Sequence, residues 1–333
     1  MKKIKLISIL LSLALCATLL SAGCGKKSSD KDEAHITFML DWTANTNHTG
    51  VYVAQALGYF EDAGITVDIV ECSEAGAEAS VAAGSADFGV SFQDYLVPAY
   101  SAEEADRLPI TTVAAIIEHN TSGIISLAEN NIETAADMPG HSYATWELPI
   151  EQAIIKQVVT DDGGNYDDIE LIPTYVEDIK AGLASDLDSV WIYYAWDGIA
   201  CELGGLDTNF FYFRDYGEEL DYYSPVIIAN DTYLEENPET AKAFIQAVKK
   251  GYQYAMENPE DAAKILVDAN EGLDLDLVTA SQKWLAENYC ADADDWGLID
   301  GDRWDAFYGW VYENGLCDYE IPSGYGYTNE YVK

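Results

Sequence analysis

Ile65, Val67 and Ile69 alternate with Thr66 and Asp68, which predicts a strand over 65–69. Just upstream, Val51, Ala54, Leu57 and Phe60 recur at helical spacing until Gly64 stops them. Before that helix an apolar run predicts a buried strand over 36–40. The alternation continues with a small-residue helix over 75–83, a strand over 87–91 and a helix over 93–101. Strand, helix and strand in this order predict a parallel sheet with crossover helices.

A long apolar strand over 110–118 follows, then a second apolar run over 124–127. A second set of elements comes next: a short helix over 134–138, strands over 141–144, 169–173, 190–194 and 210–213, and helices over 149–160, 177–184 and 196–203. The apolar stretch 224–229 reads as a return. Beyond it the chain is helical, over 238–257, 259–269, 274–288 and 301–314. Asn237-Pro238 and Asn258-Pro259 each read as an N-cap followed by proline at the first helical position. The tail 321–333 has no period and is expected to be an ordered coil.

A chain that leaves one α/β unit and returns to it predicts two lobes around a cleft, closing by hinge motion. Lobe I would comprise 35–123 and 225–333, and lobe II 124–224. The hinge would lie near 122–125 and 223–226.

The N-terminus adds a destination. Lys2, Lys3 and Lys5, an apolar stretch from Ile7 to Leu20 and the small residues Ser21-Ala22-Gly23 make 1–23 an export signal. Leu20-Ser21-Ala22-Gly23-Cys24 resembles the bacterial lipoprotein signal, which makes Cys24 the lipidated first residue. Residues 24–34 have the composition of a flexible tether. The folded part is therefore expected outside the cytoplasmic membrane, anchored by its lipid. His35, next to the tether, is expected to be solvated.

The formal charge of −42 argues against nucleic acid and against broad contact with anionic lipid. So acidic a chain is self-repelling and expected to be a monomer. Outside the leader, Cys72, Cys201, Cys290 and Cys317 are scattered, with no C-x-x-C. Four buried free thiols are the slightly preferred reading, and Cys290–Cys317 the first pairing to check.

Chemistry-bearing residues gather after the strands, where open α/β sheets bind ligands. They are Asp41, Trp42, Asn45 and His48, then Gln93 and Tyr95, then Glu118 and Asn120, then Trp146, Glu147 and Glu151, and finally Trp196 and Asp197. Aromatic faces among carboxylates and carboxamides suit a small flat ligand. With eight tryptophans and 23 tyrosines, some must be core, and Trp191, inside a strand, is assigned there. From Asp32 to Ile155 the only Lys or Arg is Arg107. Anions usually meet a guanidinium or ammonium, so the ligand is expected to be neutral or cationic and rich in N–H donors. No cofactor and no metal site is expected. His48, His119 and His141 have no spacing that demands a metal, and no G-x-S-x-G is present.

The run Leu40-Asp41-Trp42-Thr43-Ala44-Asn45-Thr46-Asn47-His48-Thr49-Gly50, with Gly58-Tyr59-Phe60, closely resembles the solute-binding lipoproteins of ABC importers for thiamine pyrimidine precursors. Ala86-Asp87-Phe88-Gly89-Val90-Ser91, His119-Asn120-Thr121-Ser122-Gly123, Thr145-Trp146 with Pro149-Ile150-Glu151, and Trp196-Asp197-Gly198-Ile199 are also similar. The wider group includes nitrate and sulfonate binders. The resemblance implies an α/β, two-lobed periplasmic-binding-protein fold of the second type with a helical C-terminal part. It implies capture of an aminopyrimidine without catalysis, and delivery to a permease driven by a cytoplasmic ATPase. Riboflavin, another flat heterocycle, or a sulfonate- or nitrate-type anion are the alternative ligands. Related fungal proteins make the pyrimidine with a cysteine cluster that this chain lacks. Glu118 stands where the resemblance leads one to expect Gln; facing the cleft, it would favour a more basic ligand.

Overall fold

The computed structural model describes residues 34–185 and 187–333. The expected export signal (1–23), Cys16, the expected lipidation site Cys24 and nearly all of the expected tether (24–34) lie outside them. Two five-stranded sheets organise the rest. The first has the order β2-β1-β3-β10-β4, from β1 (Ala34–Met39), β2 (Ile65–Val70), β3 (Phe88–Ser91), β4 (Ile110–Ala115) and β10 (Val226–Asn230). The second has the order β7-β6-β8-β5-β9, from β5 (Ser122–Leu127), β6 (Ser142–Thr145), β7 (Glu170–Pro173), β8 (Ser189–Tyr193) and β9 (Thr208–Tyr212).

The sheets are mixed, where the βαβ pattern predicts a parallel one. β1 runs parallel to β2 and β3, and β6 parallel to β7 and β8. The two strands that carry the chain between sheets are different. β5 pairs antiparallel with β8 and β9, and β10 antiparallel with β3 and β4. Each enters from the edge toward which the parallel strands point, so it runs against them.

The main helices are α1 (Thr49–Ala56), α2 (Ala77–Ala82), α3 (Pro149–Asp161), α4 (Ile199–Leu203), α5 (Pro238–Glu257), α6 (Pro259–Ala269), α7 (Leu275–Ala286) and α8 (Gly301–Glu313). α1 and α5 pack backbone to backbone. A Cβ on Gly251 would stand 1.9 Å from the Gly50 carbonyl oxygen. Only glycine fits there, and the contact pins the start of α1 to the C-terminal helices.

Several expected elements differ. The helix over 93–101 shrinks to Val97–Tyr100, because the Gln93 side chain is tied elsewhere and Pro98 has no N–H to give. The strand over 110–118 ends at Ala115; beyond it Ile116 N donates to Pro225 O and Glu118 N to Asn288 O. Asn237 and Asn258 precede proline at the first helical position but make no side-chain cap; Asn258 Nδ2 donates back to Tyr254 O instead (3.2 Å). His35 belongs to β1 and lies 3.1 Å from Asp68, though it remains exposed.

The tail is ordered by β4. Thr112 N donates to Gly326 O and Thr328 N to Thr112 O (2.8 and 2.9 Å), covering an edge strand. Cys72, Cys201, Cys290 and Cys317 are all free, and of them only Cys201 is fully buried. The Cys290–Cys317 pairing does not form. Among the described residues no helix is long and apolar enough to cross a membrane.

Candidate functional site

A cavity of about 610 Å³ is walled by the loop after β1, the segment after β3, the loop after β6, the segment after β7 and the end of β8. Eight of the sequence-predicted residues line it: Asp41, Trp42, Asn45, Tyr95, Trp146, Glu147, Trp196 and Asp197. Two other hollows of similar size, one beside Arg214 and Arg303 and one between β2 and Asn270, carry no tryptophan.

The loop after β1 is held from both sides. Asn45 Oδ1 accepts from Asn47 N (2.8 Å) and turns the chain into a short 3₁₀ segment, Thr46–His48. Tyr252 OH donates to Asn47 O and Tyr289 OH to Thr46 O, both at 2.6 Å. Thr46 Oγ1 lies 2.6 Å from Ser281 Oγ, and Ser281 in turn donates to Ala195 O after β8. One hydroxyl pair thus joins the loop of the first sheet to the cavity segment of the second.

The loop after β6 is organised by Glu151. Its carboxylate accepts from Tyr143 OH (2.7 Å), Thr145 Oγ1 (3.0 Å), Trp146 N (3.1 Å) and Leu148 N (3.2 Å). Glu147 adopts φ = 60°, a left-handed conformation that costs a side-chain-bearing residue about 1 kcal/mol or more. This strain lies on the cavity wall. The segment after β8 is a π-helical turn, Tyr194–Gly198, which places Ala195, Trp196 and Asp197 on the wall. Such turns are rare and frequent at functional sites. Burial pushes the Asp197 carboxyl up to about 6.

Five predicted residues do not line the cavity. His48 is fully buried behind the loop; its Nδ1 accepts from Asn45 N (3.1 Å) and its Nε2 faces Asp41 Oδ1 (2.6 Å). Glu151 works beneath its loop. Gln93 donates to Trp304 O and accepts from Tyr223 N, both at 2.9 Å. Asn120 accepts from Ser122 N and donates to Leu220 O, tying the two interlobe crossings together. Glu118 pairs with Arg303 (2.8 Å), a cation that arrives from far along the chain, so its carboxylate is spent there and does not face the cavity.

Sequence reasoning missed Asn47, Tyr175, Glu177 and Tyr193 as lining residues. Trp191, assigned to the core, is 4% exposed and packs in the core, and it also borders the cavity. Among the described residues Tyr175 is the most exposed large hydrophobic one, at 69%. Its position after β7, a strand end, was the available signal. The histidines do not converge. His119 has both ring nitrogens on carboxylates, Asp221 (2.6 Å) and Asp292 (2.9 Å), and His141 lies 3.5 Å from Asp188. Among the described residues, the one cluster with metal-ligand character is Glu118, His119 and Asp292, and its Glu118 is already held by Arg303.

The cavity wall carries Asp41, Glu147, Glu177 and Asp197 and no Lys or Arg. It offers acceptors and ring faces, and suits a flat group with N–H donors.

Two sheets joined by two crossings, with a cavity between strand ends, define a two-lobed periplasmic-binding-protein fold of the second type. The periplasmic aliphatic sulphonate binding protein SsuA from Escherichia coli has the same fold: TM-score 0.66, 15% identity, 90% of this chain and 99% of that one covered. Residues 45–262 match the NMT1/THI5-like family, and the chain belongs to that family. It is 30% identical to a formylaminopyrimidine-binding protein of Halalkalibacterium halodurans, over 93% of this chain and 94% of the relative. It is also 25% identical, over 72% of this chain and 71% of the relative, to a 4-amino-5-hydroxymethyl-2-methylpyrimidine phosphate synthase of Aspergillus parasiticus.

Proposed function

We propose that this chain is the extracytoplasmic solute-binding lipoprotein of an ABC importer and captures an aminopyrimidine precursor of thiamine without transforming it. The observation that carries this reading is the cavity wall, where tryptophan faces meet four carboxylates and no cation. An aminopyrimidine presents a flat ring and an exocyclic amine, which are the groups such a wall accommodates. Sulfonate or nitrate would face carboxylates with no guanidinium or ammonium to meet it. The formylaminopyrimidine-binding relative, similar over nearly the whole chain, supports the ligand class and the binding role.

Lobe I would be residues 35–123 and 225–333 and lobe II 124–224, closing about the two crossings. The ligand would sit against Trp42, Trp146 and Trp196, with Asp41, Asn45, Tyr95, Glu147 and Asp197 as polar contacts. Cys24 would carry the lipid, and a permease with its cytoplasmic ATPase would receive the ligand from the closed form.

The cavity volume favours a second reading, since a one-ring ligand fills only part of about 610 Å³. A larger flat heterocycle such as riboflavin is therefore the competing ligand. Mass spectrometry of whatever co-purifies, followed by titration of tryptophan fluorescence with aminopyrimidines and with riboflavin, separates the two. A change with an aminopyrimidine is expected, with compaction in solution scattering. A flat titration with every aminopyrimidine overturns the substrate class.

A further inference from the structure

Helix α7 of lobe I meets the cavity segment of lobe II along one stripe. Val278, Ser281 and Trp284 stand three residues apart and share a face of the helix. Val278 belongs to the apolar cluster against which Trp196 packs, Ser281 donates to Ala195 O, and the Trp284 ring centroid is 5.6 Å from that of Tyr194. Three positions on one face of α7 thus meet three successive residues of the π-helical turn. Ser281 is the polar member of this stripe and is fully buried. A serine inside a helix commonly turns its hydroxyl back to the carbonyl four residues earlier; this one reaches across to the other lobe. Its single proton goes to Ala195 O, so Thr46 Oγ1, 2.6 Å away, donates the second bond. The relay from Thr46 through Ser281 to Ala195 starts and ends at the cavity. Asn45, next to Thr46, lines the wall, and so do Ala195, Trp196 and Asp197. The exposed apolar members of that wall, Trp42 and Tyr95 from lobe I and Leu148 and Tyr175 from lobe II, mark its mouth.

We propose that Ser281 is a positioning residue for ligand capture: it docks the π-helical turn of lobe II on lobe I before the ligand arrives, so that binding has only the mouth to close. This rests on the reading of the cavity as an aminopyrimidine site. An alanine would suit the helix and the apolar neighbours better. The hydroxyl adds a directional link that fixes Trp196 and Asp197 against Asn45. Without it the stripe holds the turn by apolar contacts alone, and part of the free population has the two wall segments apart. Affinity then falls in proportion to the assembled fraction, through slower association.

The experiment uses the mature protein, an amino-hydroxymethyl-methylpyrimidine as probe, and two variants. Ser281→Ala removes the link between lobes. Ser126→Ala is the matched control, because its hydroxyl is also buried and donates to a carbonyl, Ile132 O (3.1 Å), but within lobe II. Stopped-flow tryptophan fluorescence is expected to show association slowed about tenfold in Ser281→Ala, with dissociation little changed, and wild-type rates in Ser126→Ala. Solution scattering without ligand is expected to show Ser281→Ala more extended than wild-type protein. Association at the wild-type rate in a folded Ser281→Ala, or an equal slowing in Ser126→Ala, overturns the inference. Where Ser281→Ala fails to fold, wild-type protein decides: nuclear Overhauser contacts between the Trp284 and Tyr194 rings are expected before any ligand is added, and their absence then overturns the inference. Failure of the pyrimidine to bind wild-type protein overturns the ligand reading instead, and the Overhauser contacts and the scattering still decide the docking.

Discussion

His48 Nε2 stands 2.6 Å from Asp41 Oδ1, and the imidazole is fully buried while the carboxylate reaches the cavity wall. The other ring nitrogen accepts from Asn45 N, so Nε2 carries the proton and donates to Asp41. The histidine orients a wall residue from behind. His48→Phe is expected to weaken aminopyrimidine binding about tenfold by freeing Asp41. It should also cost roughly 1–3 kcal/mol of stability, because Asn45 N loses its acceptor. Calorimetry and denaturant unfolding measure the two effects, and unchanged affinity in the folded variant would release Asp41 from a binding role.

Glu151 is a second brace. It is buried and accepts from Tyr143, Thr145, Trp146 and Leu148, all donors. Glu151→Gln replaces one acceptor oxygen by an amide that faces those donors. A loss of about 2 kcal/mol is expected in urea unfolding. Trp146 and Glu147 should lose their fixed positions with it, seen as weaker fluorescence response to ligand.

Asp94 carries a pH dependence of stability. Its carboxyl is buried near Glu78, Tyr95, Tyr193, Tyr222 and Tyr308, with no cation beside it, and burial pushes its pKa up to about 7. In the unfolded chain it titrates near 3.8, the ordinary value for an aspartate. Between these values the native state holds the proton that the unfolded state has lost, so this group makes stability fall as pH rises. Asp94→Asn is expected to stabilise by a few kcal/mol at about pH 8 and by close to nothing at about pH 4. Urea midpoints across that range test it; a pH-independent difference would contradict the assignment.

Asp197 affects binding. Its carboxyl, held up to about 6 by burial, is ionised above that pH and protonated below it. Affinity for a donor-rich ligand should fall as pH drops through about 6, and Asp197→Asn should flatten that step while lowering affinity at neutral pH. Calorimetry at several pH values, with the ligand's own protonation followed by its absorbance, separates the two titrations.

Much of this could be read along the chain. Local alternation placed β2, and a small-residue run ended by Gly84 placed α2, because these patterns depend on which face of an element is buried. The stretch Asp41–His48 drew notice as a mixture of chemistry after a strand, and Asp41, Trp42 and Asn45 line the cavity. Its shortage of positive charge also foretold a wall without Lys or Arg.

Tertiary structure decided what long-range partners alone can fix. Whether a polar residue faces a ligand or a neighbour depends on what arrives from elsewhere: Arg303 takes Glu118, Tyr223 and Trp304 take Gln93, and Leu220 takes Asn120. The antiparallel entry of β5 and β10 follows from the path between sheets, which carries no local signature. The π-helical turn that brings Trp196 and Asp197 to the wall leaves no period to read. Trp191 is apolar by pattern, and only the packed structure reveals that its ring is satisfied while its N–H is not.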